Sequence, residues 1–136
     1  MEELYNFEKR REEIKKLQKL QRGAVKLHDM SHIQTIHSWI VDKLCEIDVK
    51  ENSQLHKHLF IFIILLLYFP GALFGDKAPH GLRRYVAESL KVKSCQRISD
   101  NTRIVLFLYK NDKSFKNKAD YLYAEMLFRI ELNGLK

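Results

Sequence analysis

The chain has 136 residues, which suffices for one domain, and 46% of them are hydrophobic, which suffices for a buried core. It contains only two prolines and five glycines, and this scarcity of helix breakers favours an all-α fold. The net charge is +7. The two cysteines, Cys45 and Cys95, form neither a disulfide framework nor a cysteine zinc motif, which excludes the small disulfide-rich secreted classes and agrees with a reducing cytoplasm.

The first thirty residues predict a long, charged N-terminal helix at about residues 2–27. Its apolar side chains fall near one stripe, namely Phe7, Ile14, Leu17, Ala24 and Leu27. Arg10, Arg11 and Gln21 interrupt this stripe, so it forms only a weak coiled-coil seam. We interpret residues 1–30 as a solvated, partly packed helix, with a dimerisation arm as the alternative. The six acids in this segment disfavour an arm that binds nucleic acid.

A second helix is predicted at about 32–47, with Asp29 or Ser31 as its N-cap. Its apolar residues repeat at helical spacing and form one face: Ile33, Ile36, Trp39, Ile40, Leu44 and Ile47. Residues 31–136 are thus expected to form the helical core domain that follows the N-terminal helix.

A third helix is predicted at about 54–68, beginning after Asn52 or Ser53. It is apolar nearly all round, so we expect it at the centre of the domain. Its apolar run, residues 59–69, is eleven residues long and ends at a Pro-Gly pair. A membrane-spanning helix needs roughly 20 apolar residues, so no membrane partner is predicted. A membrane-surface protein that uses residues 59–74 is a further alternative.

The remainder of the chain predicts a loop at about 69–81 and then three helices, at about 82–91, 95–110 and 114–132. We expect Ser114 to cap the last of these and Asn133-Gly134 to end it. The last helix carries an inward stripe of Phe115, Ala119, Leu122, Met126 and Ile130. The predicted fold is therefore a compact all-α bundle of five or six helices with a long N-terminal helix.

Positive charge is concentrated in one third of the chain. Residues 76–119 hold eleven Lys and Arg and four acids. The charge of this segment, +7, equals the net charge of the whole protein. A positive field confined to one region favours a polyanionic partner, most simply nucleic acid.

The same region contains a recognisable local pattern. Small and branched apolar residues stand where a helix-turn-helix places its packing anchors, namely Ala87, Leu90, Val92 and Ile98, and Ser94 is placed to cap the second helix. Residues 82–110 therefore resemble helix-turn-helix DNA-binding proteins. Two positions depart from the usual motif. Lys91 occupies the place of the left-handed glycine, and Ile98 comes one residue late, so a plain αα-corner is the alternative.

The resemblance implies that the helix at 95–110 is the recognition helix. Stepping 100° per residue from Ile98 places Thr102, Val105 and Tyr109 inward. Gln96, Asp100 and Arg103 face outward, with Arg97 and Ser99 on the flanks. Gln and Arg side chains can read adenine and guanine edges in the major groove. Lysine and arginine side chains near the helix ends and the turn can contact phosphates. The predicted nucleic-acid-binding residues are Arg83, Arg84, Lys91, Lys93, Ser94, Gln96, Arg97 and Arg103.

A second basic group surrounds the loop before the last helix and consists of Lys110, Lys113, Lys116 and Lys118. It either extends the electrostatic footprint or only keeps the protein soluble.

The remaining chemistry-bearing residues give no catalytic or metal-binding motif. His28 and His32 are four apart, but Asp29 and Ser31 mark a helix boundary between them, which separates them as ligands. We interpret the histidines, including His56 and His58, as surface or interface residues. No phosphate loop, GxGxxG or GxSxG occurs. No catalytic residue, cofactor, metal or small-molecule ligand is predicted, and the chain is expected not to be an enzyme.

The sequence therefore predicts a cytoplasmic DNA-binding protein with a regulatory or accessory role, such as transcription regulation, which dimerises through its N-terminal helix. The alternative is a helical protein–protein interaction or assembly protein that binds no nucleic acid. RNA remains open as the nucleic-acid partner, although no stacking motif of the RNA-recognition type is present.

Overall fold

The computed structural model describes residues 25–74, 80–92 and 95–136. Within these ranges lie five α-helices and no β-strand: α1 (Ile33–Lys43), α2 (Gln54–Tyr68), α3 (His80–Leu90), α4 (Cys95–Asn111) and α5 (Lys113–Asn133). Two short 3-10 helices, Met30–His32 and Pro70–Phe74, precede α1 and follow α2. The all-α prediction is confirmed. The long N-terminal helix falls largely on residues 1–24, which lie outside the described residues.

Side-chain caps fix where several helices begin. The Ser53 hydroxyl accepts from the His56 N–H (3.2 Å) at the start of α2, as the sequence predicts. At the start of α5 the carboxylate of Asp112 accepts from the Phe115 N–H at 3.1 Å. The predicted cap at Ser114 is therefore wrong. The acid two positions earlier satisfies the amide and also lies at the positive end of the helix dipole.

The segment before α1 is capped by Asp29, whose carboxylate accepts from the Ser31 N–H at 2.9 Å. The α-helix itself ends at Lys43, earlier than the predicted end near residue 47. Turns follow, and Asp48 adopts a left-handed conformation with φ 55°. Its N–H donates to the Cys45 carbonyl, which closes the turn.

Helix α2 is the centre of the fold. Every residue from Leu59 to Tyr68 is buried, and all four other helices contact α2. Complete burial of each large apolar side chain contributes about 1.5–3 kcal/mol relative to exposure, so this one helix supplies much of the driving force for folding. The prediction that residues 54–68 form the central helix is confirmed.

The length of α2 also bears on the membrane alternative. Its 15 residues span about 22 Å, which is shorter than the roughly 30 Å hydrocarbon core of a bilayer. Among the described residues, no helix combines the length and the apolar character that crossing a membrane requires.

Three aromatic rings join the central helix to its two largest neighbours. The Phe62 ring stacks on Tyr109 of α4 with centroids 4.7 Å apart, and it meets Phe115 of α5 edge-on at 6.0 Å. Such pairs contribute about 0.5–1.5 kcal/mol beyond the burial of their area. The cluster therefore fixes how α4 and α5 sit against α2.

The chain before α1 is attached to the end of the bundle where α2 and α5 finish. The N–H groups of Lys26 and Leu27 both donate to the Leu67 carbonyl (3.0 and 3.1 Å), and Leu27 is fully buried. The Tyr68 hydroxyl donates to the Asp29 carbonyl at 2.7 Å. Residues 25–27 are not helical, so the predicted helix does not continue through them. The hydrogen bonds to Leu67 and Tyr68 take the place of the backbone hydrogen bonds that the predicted helix would have made here.

Replacing Phe62 with alanine should lower the free energy of unfolding by about 3–5 kcal/mol, because the change empties a fully buried site between three helices. Urea denaturation measures this directly. The matched control is Phe107→Ala, since Phe107 is 64% exposed, and it should change stability by less than about 0.5 kcal/mol. Equal effects of the two substitutions would contradict the packing described for α2.

Candidate nucleic-acid interface

The turn after α3 is built by a Schellman motif. The Lys91 N–H donates to the Glu88 carbonyl (3.1 Å) and the Val92 N–H donates to the Ala87 carbonyl (3.0 Å). Lys91 has φ 57°, the left-handed conformation that glycine usually supplies. The structure therefore places a lysine, strained by its Cβ, in the turn that directly follows α3, with its side chain exposed.

The residues proposed as packing anchors of this helix pair face the core. Ala87 and Ile98 are buried, and Leu90 and Val92 are partly buried against the core. Helices α3 and α4 contact each other directly. Positions 93 and 94, which hold the predicted contacts Lys93 and Ser94, lie outside the described residues. The helix-turn-helix resemblance therefore stays a prediction.

The predicted phosphate and base contacts on the described part of this helix pair are mostly exposed. Arg84, Lys91, Arg97 and Arg103 are exposed, whereas Arg83 is half-buried. Arg84 is engaged within its own helix, because its Nε lies 3.2 Å from the carboxylate of Glu88 one turn later. Both side chains of this pair are solvated, so the ion pair is weak and its arginine can exchange partners. Gln96 lies on α4, and the structure does not describe its side chain.

The two faces of α4 follow the predicted rotation. Ile98 and Val105 are buried, while Asp100 and Arg103 on the opposite side are exposed. The hydroxyl of Thr102 donates to the Ile98 carbonyl at 2.8 Å, which satisfies that polar group inside the partly buried face. Because Arg97 and Arg103 are exposed on the outer face of α4, a partner can reach both side chains.

The sequence reasoning missed two apolar residues on this outer face. Ile104 is 44% exposed and Phe107 is 64% exposed. The signal was present, because the same rotation of 100° per residue places Phe107 directly opposite Ile98. Apolar and cationic side chains therefore share the outer surface of α4, with Arg103 beside Ile104 in sequence.

The second basic group is more occupied by contacts within the protein. Lys116 lies over the Tyr109 ring, with its Nζ 5.6 Å from the centroid, and Lys118 Nζ donates to the Ser114 hydroxyl at 2.9 Å. Lys113 is exposed and Lys110 is half-buried. Cations that already have local partners give up part of that interaction on binding a phosphate, so this group is a weaker candidate site than α3 and α4.

A buried histidine anchors the start of α4 to α2. The Asn101 side-chain amide donates to the Arg97 carbonyl (2.8 Å), which turns its oxygen toward the ring of His58. His58 Nε2 lies 3.2 Å from this oxygen and 2.9 Å from the side-chain nitrogen of Gln54 on its own helix. The sequence predicted a surface or interface histidine, and His58, which is only 8% exposed, is not a surface residue. The contact holds the Arg97 turn of α4 at a fixed distance from the central helix.

A second histidine pair joins α1 to α2. The Nε2 atoms of His37 and His56 lie 3.1 Å apart, and the rings are nearly parallel, at 5° with centroids 5.1 Å apart. His56 is fully buried, so the surface alternative of the same prediction is wrong for it as well. The sequence gave no signal for this pair, because its members are far apart in the chain and on different helices.

The backbone determines where the protons of this pair sit. The Asn52 N–H donates to His56 Nδ1 at 3.0 Å, so that nitrogen carries no proton. The neutral His56 ring must then hold its proton on Nε2 and donate it to His37 Nε2, which leaves the His37 proton on Nδ1. Protonation of either ring would place two hydrogens in one short contact.

This proton arrangement is unsuitable for a metal ion. A metal needs the Nε2 lone pair of both imidazoles, and the Asn52 N–H holds the His56 proton at that position. Among the described residues, no group of three or more His, Cys, Asp or Glu side chains is arranged to hold a metal.

The histidine pair opens on one side to a cleft of about 330 Å³ that reaches the turn after α3. Its charged and polar lining includes Glu51, Lys57, Ser89 and Lys91. The Ser89 hydroxyl donates to the Gln34 side chain at 2.9 Å and ties α3 to α1 across this cleft. Charges of both signs line the cleft, so it shows no preference for an anion or a cation.

Burial lowers the pKa of His37 and His56 below the usual value of 6.5. The charge of His37 lowers the pKa of His56 further, and the nearby Glu51 carboxylate acts in the opposite direction on both rings. Burial also lowers the pKa of His58, and the contact with the Asn101 side-chain oxygen opposes this by raising it. All three rings are therefore neutral in the folded protein at pH 7.

Comparison with known proteins finds no family model that matches this sequence and no curated protein or solved structure that is similar to it. The function is accordingly argued from the chemistry of the described surface.

Lys91→Gly should raise the free energy of unfolding by about 0.5–1 kcal/mol, because glycine adopts the left-handed turn without the Cβ clash. Lys91→Ala removes the same charge and keeps the clash, so it should leave stability nearly unchanged. Thermal or urea denaturation of the two variants separates backbone strain from charge. A glycine variant no more stable than the alanine variant would contradict the left-handed turn.

Acidification should destabilise the fold through the buried histidines. Their pKa values are lowered in the folded state, so the unfolded chain binds more protons below pH 6.5. Their contribution to stability is complete above this pH and is lost as the pH falls below it. Urea midpoints at pH 8 and pH 5.5 should therefore differ, with the lower midpoint at pH 5.5.

The matched variants are His37→Gln and His28→Gln. His37→Gln should reduce the difference between the two midpoints, because it removes one ring of the buried pair. His28 is exposed, and its replacement should leave the difference unchanged. Equal pH dependence in all three proteins would show that the pair does not couple to folding.

Proposed function

We propose that this protein binds DNA through α3, the turn at Lys91 and α4, in a regulatory or accessory role. The observation that carries the proposal is the distribution of side chains on this helix pair. Its apolar anchors are buried, while Arg84, Lys91, Arg97 and Arg103 are exposed. Against these four cations, the described exposed residues of α3 and α4 include two acids, Glu88 and Asp100.

The first step of the proposed mechanism is electrostatic. The region from residue 76 to 119 carries the net charge of the entire protein, +7. A field of this sign attracts the phosphate backbone, and each lysine or arginine that neutralises a phosphate releases condensed counterions. Binding should therefore weaken steeply with salt.

The second step is positioning. Arg84 on α3 and Lys91 at the turn do not belong to α4, so they can contact phosphates while α4 occupies the groove. The left-handed turn exposes the Lys91 side chain at the junction of the two helices. Such contacts set the register of the protein on DNA and carry no sequence information.

The third step is readout by the outer face of α4. Arg97 and Arg103 can each donate two hydrogen bonds to a guanine edge in the major groove, and Gln96 at the start of the helix can pair with adenine. The exposed Phe107 and Ile104 can pack against thymine methyl groups. The mixed cationic and apolar surface of α4 suits a groove that presents both phosphates and methyl groups.

A homodimer would double these contacts by engaging two half-sites. Dimerisation, a cytoplasmic location and a role in transcription regulation are parts of this proposal. The alternative, a helical interaction protein without nucleic-acid binding, is favoured by a separate observation, the exposed aromatic and aliphatic side chains on α5.

The test is binding of labelled duplex DNA across a salt series. Arg97→Ala/Arg103→Ala should weaken binding and make the slope of log K against log salt shallower by roughly two, if each arginine neutralises one phosphate. If they read bases instead, each substitution should cost about 1–3 kcal/mol on the preferred site only.

The control is Lys26→Ala/Lys136→Ala, which removes the same number of charges from exposed positions. Lys26 lies at the C-terminal end of α2, opposite to the end near which Arg97 lies. The control variant should leave both the affinity and the salt slope close to those of the unmodified protein. Equal weakening by the two double variants would show that net charge alone accounts for the binding, which would contradict binding through α4. Absence of binding at about 50 mM salt, where nonspecific contacts are strong, would overturn it.

A further inference from the structure

Helix α4 exposes one aromatic ring in the middle of its outer face. Phe107 is 64% exposed and lies directly opposite the buried Ile98 around the helix. The side chains that flank a residue on a helix surface are those three and four positions away. For Phe107 these are Arg103, Ile104, Lys110 and Asn111. The ring is therefore flanked by two cations, and no acid stands within one turn of it.

A second exposed ring has the opposite surroundings. Phe128 on α5 is 63% exposed. The residues three and four positions away from it are Ala124, Glu125, Glu131 and Leu132. Phe128 is therefore flanked by two carboxylates, whereas Phe107 is flanked by two cations. The two rings offer a partner the same apolar contact, but only Phe107 offers it in a setting that attracts an anion.

The cations beside Phe107 are available to a partner. Arg103 is exposed and Lys110 is half-buried. Among the described residues, no ion pair joins either side chain to a carboxylate. The two positions are seven residues apart, which is about 10 Å along the helix axis, and the ring lies between them. An anionic strand that crosses Phe107 can thus bind both cations without breaking an ion pair in this part of the protein.

We propose that Phe107, Arg103 and Lys110 form a site for single-stranded DNA, in which an unpaired base stacks on the ring and neighbouring phosphates bind the two cations. The inference deepens the proposed function and rests on its nucleic-acid partner. In a duplex the faces of the bases are covered by their neighbours, so a side chain reaches only base edges and thymine methyl groups. An unpaired base offers its whole face to an aromatic ring, whatever the sequence.

The shape of this surface favours a nucleic-acid strand over an acidic peptide helix. A helical peptide lies in a groove and inserts apolar anchors over several turns. The outer face of α4 is instead the convex side of one helix, and the exposed large apolar side chains on its described part are Ile104 and Phe107. A single ring with a cation on either side matches the repeating unit of a strand, which is one base and one phosphate.

The test is fluorescence anisotropy of labelled oligo(dT) and of a labelled duplex. Phe107→Leu should weaken oligo(dT) binding by about fivefold or more, because loss of a stacked base costs at least about 1 kcal/mol and 1.4 kcal/mol is a factor of ten. Leucine keeps the apolar contact with thymine methyl groups, so duplex affinity should change by less than about threefold. Phe107→Tyr keeps a ring and should retain oligo(dT) binding. Phe128→Leu is the matched control and should leave both affinities unchanged.

The two cations are tested by the salt dependence of oligo(dT) binding. Arg103→Gln/Lys110→Gln should make the slope of log K against log salt shallower by about 1.4, because each neutralised phosphate of a single strand contributes about 0.7. Lys26→Gln/Lys136→Gln removes the same charge from two exposed positions outside α4 and should leave the slope unchanged. Equal slopes for the two double variants would contradict the assignment of Arg103 and Lys110.

The use of two nucleic acids separates this inference from the proposed function. Duplex binding without oligo(dT) binding at about 50 mM salt would overturn the inference and leave the proposed function in place. Oligo(dT) binding without duplex binding would support the inference and overturn the readout of duplex DNA, and binding of neither would overturn both. Stacking on Phe107 would be contradicted if Phe107→Leu bound oligo(dT) as tightly as the unmodified protein, or if Phe128→Leu weakened binding equally.

Discussion

The structure depends on the burial of one short helix on every side. Helix α2 exposes almost nothing after its first turn, so each of the other helices must present it with an apolar face. The Phe62 cluster is where this requirement is met for α4 and α5. The outward faces of the surrounding helices are free of that requirement, and the exposed basic residues of α3 and α4 lie there.

Polar contacts near the first turn of α2 add specificity to this apolar centre. His56 and His58 are buried, and each bonds to a different neighbouring helix through a defined ring nitrogen. Apolar packing alone tolerates small rotations of a helix about its axis, whereas a hydrogen bond to one nitrogen does not. The arrangement fixes α1 and α4 relative to each other through an element to which both are bonded.

Residues with strong periodicity were predictable from the sequence. The apolar run of α2 and the inward stripe of α5 each follow a local pattern, and the structure places both in the core. The His37–His56 bond and the backbone bonds of residues 25–29 were not predictable, because they join segments distant in sequence. The cap of α5 was misplaced because Asp112 and Ser114 are both good N-caps and only geometry selects one. The basic residues of α3 and α4 were predictable from composition, whereas the outward position of Phe107 depends on the rotation of α4, which places it opposite the buried Ile98.

The bonds of residues 25–29 also have a consequence for the order of folding. Helices α3, α4 and α5 follow one another through short connections, so their mutual contacts close small loops and can form early. Asp29 instead bonds to Lys136, which closes a loop around nearly the whole described chain. On a ribosome, this closure must wait until the last residue of that loop has emerged. The segment that leads into the first helix is therefore fastened in two stages, first to Leu67 and Tyr68 once α2 has been synthesised and last to Lys136.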